Sequence, residues 1–383
     1  MKKILQNNIA LIISVIFLLI LIFIPTNYKT NAAYSGKEEV KCEVLSVDNS
    51  MIRSYGVIQS GEQKCEIKIL GGSHKGEIVE GINLLTGSLA EDKIFKAGDK
   101  ALVMIATDDG NIISVSMIDH YRINYEIILV LIFTAVLIVF AGKIGLKSIL
   151  SFIISILCIW KIIIPGYLDG LNPIWLGIAI LIVLTTIIEV FVFGFNKKSF
   201  AAIFGSMLGI ATTCILGIIF TNLFKIHGAV MPNSEQLLYC GYQHLNLTNI
   251  YIATIFIGSS GALMDIATDI TASMVEIVKQ SPDISFKEAL KSGLNVGKAA
   301  MGTMSTTLLL AYSGSCMALL MVFAAQGTPI INILNYKSVS AELINIIIGS
   351  LGLVAVAPFT ALTSALFLTK KKHKNLNDAS NIN

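Results

Sequence analysis

The chain has 383 residues, 54% of them hydrophobic and only 14% charged, where an ordinary soluble domain carries roughly 25% charged residues. A formal charge of +3, with no basic block interleaved with aromatics, argues against nucleic acid as a partner. Six cysteines without a CxxC pair and five histidines spread over separate loops lack the spacing of a zinc site, so neither a metal nor a cofactor is expected.

Lys2 and Lys3 precede an apolar run over residues 9–24, which reads as an N-terminal signal anchor, residues 1–24. A cleaved signal peptide is the alternative, because Thr30, Asn31, Ala32 and Ala33 put small residues at a suitable distance.

Residues 34–122 change to a period of two. Val40, Cys42 and Val44 alternate with polar neighbours, as do Cys65, Ile67 and Ile69, and residues 52–58, 77–84, 101–106 and 112–118 are further strand candidates. About six short strands broken by Gly71-Gly72, Gly98-Asp99 and Asp109-Gly110 suit a small all-β domain, a barrel of the OB or SH3-like kind. A Cys42–Cys65 disulfide is allowed if this segment lies outside the cytoplasm. Two free, inward-facing thiols are the other reading.

From residue 125 the chain is nearly all apolar. Spans are expected at 125–141, 145–164, 172–193, 200–221, 250–270, 302–323 and 343–368, a seven-helix membrane domain over 125–368 followed by a basic polar tail, 369–383. With the N-terminal anchor this gives an α-helical polytopic membrane protein of about eight transmembrane helices, its β-rich domain lying between the first and second. Lysines fix the orientation: fourteen fall in segments that this count puts inside, and the short outer loops hold only Lys225 and Lys337. Both termini are then cytoplasmic, and residues 34–122 are extracytoplasmic. Three spans in each half after the second would permit an inverted repeat, although no self-similarity supports one.

The stretch that carries chemistry is 250–279. On a helix, Gly258, Gly261, Ala262, Asp265, Asp269, Ala272 and Glu276 share one face, and Phe256, Leu263, Ile270, Met274 and Ile277 share the other. The small and acidic face is expected to meet protein, the bulky face lipid. An ionisable group at membrane depth costs at least about 2.5 kcal/mol, so Asp265, Asp269 and Glu276 are candidates for holding a proton or an ion. Glu189, in TTIIEVFVF, lies at similar depth in a span crossing in the same direction. It could line the same cavity or snorkel to the interface near Lys197. Gly258-Ser259-Ser260-Gly261 is a weak helix former; a break there would free backbone groups, with Ser259 and Ser260 as polar cavity candidates. The next span adds Thr303, Thr306, Thr307 and Tyr312 as polar groups to set against the acidic helix. Between these spans, residues 285–298 form a charged, partly amphipathic stretch expected to lie along the interface.

GALMDIATDITASMVEI and GTMSTTLLLAYSG, in this order after an anchored barrel, resemble the YibE/F-like family of multi-pass bacterial membrane proteins. The resemblance covers most of the chain. It implies an integral membrane protein without an assigned activity, and Asp265 and Glu276 match positions that the family pattern carries as acids.

A transporter or permease coupled to a proton or cation is the leading functional expectation, with the lipid bilayer and a small solute or ion as partners and homo-oligomers left open. A non-transporting assembly or sensory protein that works through the outer barrel is the second. An intramembrane aspartyl protease ranks last, since Asp265 and Asp269 on one helix cannot face each other across a scissile bond. No enzyme is expected.

Overall fold

The structure, a computed structural model, describes residues 2–26 and 36–369. The suggested cleavage point at 30–33 and the basic tail from residue 370 lie outside the described residues. The chain divides into two compact units, Asn27–Gly142 and Met1–Thr26 with Lys143–Asn383.

In the first unit the alternating residues become β1 (Lys37–Asp48), β2 (Ile52–Tyr55), β3 (Ile58–Ile69), β4 (Ile78–Thr86), β5 (Lys100–Asp108) and β6 (Asn111–His120). The 52–58 stretch is a hairpin rather than one strand, since Tyr55 pairs with Ile58 across Gly56, whose φ of 64° suits glycine. The sheet order β1-β5-β6-β4-β3-β2, with β1 also paired to β3, closes five strands into a ring and leaves β2 at the edge. The ring is completed by one parallel contact, Ile82 opposite Ser116. Period-two alternation sends Val40, Cys42, Val44, Cys65, Ile67, Ile69, Val103 and Ile105 inward as a buried core, each large aliphatic side chain contributing about 1.5–3 kcal/mol.

One end of this core is polar and fully bonded at Gln63. Its amide donates to the Phe95 carbonyl at 2.9 Å and its side-chain oxygen accepts from the Phe95 N–H at 3.0 Å, so the β4–β5 connection is pinned and the Phe95 ring is buried. Asn83 donates to the same Gln63 oxygen at 3.0 Å. The Cys42–Cys65 bridge is not formed: both thiols are free, and the register sets Cys42 opposite Ile69 but Cys65 opposite Val47.

Helices follow from α1 (Lys2–Phe23) and α2 (Ile123–Cys158), the latter running through a short π-helical turn into α3 (Ile164–Leu168). Next come α4 (Pro173–Phe193), α5 (Lys197–Leu223), α6 (Ser234–Tyr239), α7 (Leu247–Gln280), α8 (Phe286–Ala325), α9 (Ile330–Asn335) and α10 (Lys337–Leu368). Asn172 caps α4 ahead of Pro173 at its first position, and capping boxes start α5 at Asn196 and α8 at Ser285. Ser285 therefore opens a 40-residue helix, and residues 285–298 belong to α8 rather than forming a separate interfacial segment.

Among the described residues five helices are long and apolar enough to cross a membrane, or six if the pair Phe286–Gly314 and Cys316–Ala325, bent by 66°, is one span. The sequence count of eight differs at Ile123–Leu168, which is one apolar stretch of 46 residues, while Ala10–Phe23 is an apolar segment within α1. At about 1.5 Å per residue that stretch would extend roughly 70 Å, twice a hydrocarbon core. It is broken at Gly142 (φ 53°, ψ −124°), beside the boundary read from the sequence.

Packing in the second unit is bulky residue into glycine notch. Leu263 of α7 fills the space beside Gly209 of α5 and Gly352 of α10, and Phe256 sits on Gly177 of α4. Gly205 of α5 lies against Thr360 of α10, and Thr363 donates to the Ala201 carbonyl at 2.8 Å. Gly293 and Gly297 of α8 meet Met274 and Ile270 of α7. These pairings make α4, α7 and α10 run one way and α5 and α8 the other, with α7 touching all four.

Candidate functional site

Helices α4 and α7 pack side by side in the same direction. Gly177 meets Phe256, Thr185 Oγ1 donates to Met264 Sδ at 3.2 Å, and Glu189 Oε1 lies 2.9 Å from Thr268 Oγ1. Thr185 and Glu189 are one turn apart on α4, and Met264 and Thr268 one turn apart on α7, so the polar contacts step along the seam together.

Glu189 is 0% exposed, which excludes the snorkelling alternative. Its Oε2 is buried without a hydrogen-bond partner, and among the described residues no Lys, Arg or His forms an ion pair with it. Two residues along α4, the Phe191 carbonyl accepts from the ammonium of Lys147 of α2 at 3.1 Å. Thr268 Oγ1 is also 2.9 Å from the Met264 carbonyl, so one hydroxyl hydrogen faces two acceptors. Asp265 lies close enough for its charge to be felt at Glu189.

The rest of the acidic helix is placed the other way round from the sequence expectation. Phe256 is buried against α4, and Leu263, Ile270 and Met274 are buried among α5, α8 and α10, while Gly258, Gly261, Asp265, Asp269, Ala272 and Glu276 form the exposed stripe. The physical reason is the small-residue face of α5: Gly209 and Gly217 leave notches against which Leu263, Ile252 and Ile255 of α7 pack. The stripe is flanked by α4 along its Thr268 side and by α8 at Gly258, where Tyr312 lays its hydroxyl. Glu276 pairs with Lys279 at 3.4 Å, both exposed, and belongs to the helix surface rather than to the Glu189 seam.

No break occurs at residues 258–261. Ser259 and Ser260 are buried, and their hydroxyls return to the Ile255 and Ile257 carbonyls at 2.9 and 2.7 Å, which satisfies both within a continuous helix. Thr303, Thr306 and Thr307 are exposed on α8, donating to the Ala300, Gly302 and Thr303 carbonyls at 3.2, 3.5 and 3.1 Å. Of the sequence candidates, then, Glu189 enters the α4–α7 seam, Asp265 and Asp269 lie one turn apart on the exposed stripe of α7, and the hydroxyl groups stay apart. The sequence reading missed Thr185, Met264 and Thr268, whose signal was the matching one-turn spacing of polar residues on the two helices.

Comparison with protein families gives two matches that together span most of the chain. A family described as YibE/F-like protein matches residues 129–370, and the YibE/F family N-terminal domain matches residues 37–121. No curated protein and no solved structure matches the chain.

Proposed function

The chain belongs to the YibE/F-like family, and on that premise we propose that it is an ion- or proton-coupled transporter of a bacterial cell membrane. The observation that carries this reading is Glu189: a carboxyl group fully enclosed among apolar helices, with one oxygen left without a partner. Burying such a group has a cost with no structural return, which is the mark of a residue kept for what it binds. Asp265 and Asp269, on the neighbouring exposed stripe of α7, are the groups through which an ion would reach it.

The topology that goes with this reading has eight spans, both termini in the cytoplasm and the barrel outside. The strict alternation of α4, α5, α7, α8 and α10 supports it, as does the placement of lysines. For the barrel, the closed order β1-β3-β4-β6-β5, with a parallel contact between β4 and β6, favours the OB-like alternative.

A second reading is an assembly or sensory protein. It is favoured by the acidic stripe being open on the surface of the chain and by the barrel forming a compact unit of its own. Removing residues 37–121 from the reconstituted protein separates the two: a transporter core keeps ion flux, whereas a protein working through its barrel has no flux to keep.

A further inference from the structure

We infer that the species held at this site is a proton on Glu189 Oε1, donated to Thr268 Oγ1, and that Thr268 is a two-position hydroxyl that follows the protonation state. The inference rests on the transport reading and names its coupling ion.

Thr268 has one hydrogen and two acceptors at 2.9 Å, Glu189 Oε1 and the Met264 carbonyl. Both contacts are satisfied together only if Glu189 is the neutral acid. Its O–H then donates to Thr268, and Thr268 donates to Met264. The orphaned Oε2 is then a carbonyl oxygen, whose burial without a partner costs far less than that of a carboxylate oxygen. When a water molecule takes the proton from Oε1, a new O–H bond forms on the water as hydronium, and the Oε1–H bond breaks with its electron pair staying on the carboxylate. Thr268 then turns its hydrogen from Met264 to Glu189. The helix gives up one side-chain contact and the carboxylate gains one donor.

A metal cation fits the same place poorly. Calcium takes about six to eight oxygen ligands and magnesium about six, while the oxygen shown beside Glu189 is the Thr268 hydroxyl. Among the described residues no group of three or more His, Cys, Asp and Glu side chains converges anywhere in the chain.

The charged and titratable surroundings leave the proton without a competitor. From α7 the site meets Asp265, with Asp269 a turn beyond, and both are like charges. From α2 comes Lys147, bonded to the Phe191 carbonyl. The π-helical turn and α3 bring Lys161, donating to the Ile24 carbonyl at 3.0 Å, and Tyr167, donating to Pro173. Helix α5 has lysines only at its start, Lys197 and Lys198, and the described side chains of α1 carry no charge.

The test is infrared difference spectroscopy of the purified full-length protein, titrated from neutral to alkaline pH. The expected result is a protonated-carboxyl band at neutral pH that shifts when the protein is made with heavy-carbon glutamate and stays put with heavy-carbon aspartate. It disappears in Glu189→Gln and changes frequency in Thr268→Val. Absence of a glutamate band in the wild-type protein, or its persistence in Glu189→Gln, overturns the inference, and the isotope comparison stands even if the variant does not fold. The band with no proton flux in liposomes would retain the protonated site and reject transport. Flux without the band would retain transport and reject Glu189 as the carrier.

Discussion

Glu189 of α4 and Thr268 of α7 meet at 2.9 Å in the interior of the helical unit, and among the described residues the second oxygen of the glutamate has no hydrogen-bond partner. A carboxyl group retained for stability would be bonded on both sides.

Replacing it should therefore not harm the fold. Glu189→Leu keeps the volume and removes the desolvation cost, so thermal unfolding in detergent is expected to be unchanged or raised, by an amount corresponding to about 0–2 kcal/mol. A lowered midpoint would show that the carboxyl group is structural.

Two glycines give opposite expectations. A Cβ on Gly205 would stand 2.8 Å from Thr360 Cα, backbone that cannot yield, so Gly205→Val should cost about 1–3 kcal/mol by prying α5 from α10. Gly261 lies on the exposed stripe with nothing near a new Cβ, so Gly261→Ala should be neutral or stabilising by up to about 1 kcal/mol. Midpoints of both variants, with the particle mass by light scattering, check this. A mass change in Gly261→Ala alone would mean that another copy covers the stripe.

In the barrel, Gln63→Leu strands the Phe95 N–H and carbonyl and one Asn83 donor. Loss of these buried bonds should cost about 1–3 kcal/mol for each group left bare. It should appear first as protease cleavage between β4 and β5, in the segment that Phe95 anchors. Wild-type resistance in that segment would refute the pinning role.

The barrel also has a defined pH window. Burial pushes the Cys42 thiol up to about 12 and the Cys65 thiol up to about 11 from the ordinary 9.0. The unfolded chain loses these protons first, so this stability is fully present below pH 9 and declines as the pH rises above it. On the acid side, hydrogen bonds from Thr86 and Gly87 hold the Asp92 carboxyl below its usual range, and Arg122, at 2.6 Å, does the same for Asp119. Their contribution is present above the ordinary 3.8 and is lost as the pH falls through the lowered values. Alkylation followed peptide by peptide should find Cys240 labelled at neutral pH and Cys42 and Cys65 labelled only on alkaline or denatured samples. Equal labelling at neutral pH would contradict the buried assignment.

The barrel was legible because period-two alternation fixes which residues turn inward: Val40, Cys42, Val44, Cys65, Ile67 and Ile69 all lie in its core. Helix α7 was half legible. Its two faces were separated correctly, but a helix wheel does not say which face has a partner. That depended on Gly209 and Gly217 of α5 and Gly352 of α10, against which Leu263, Ile252 and Ile255 pack, leaving Asp265 and Asp269 on the outside. Weak helix propensity predicts a break at Ser259 and Ser260, and packing against α10 at Gly349 overrides it. Glu189 was legible as an acid at membrane depth. Its bond to Thr268 was not, because the contact joins residues 79 apart in sequence.

The most direct measurement is proton entry into liposomes containing the full chain and an enclosed pH-sensitive dye, under an imposed pH gradient. The wild-type protein is predicted to speed acidification above that of protein-free vesicles, and Glu189→Gln to return it to the protein-free rate. Equal rates for wild-type protein and Glu189→Gln, or for wild-type protein and empty vesicles, would contradict the account.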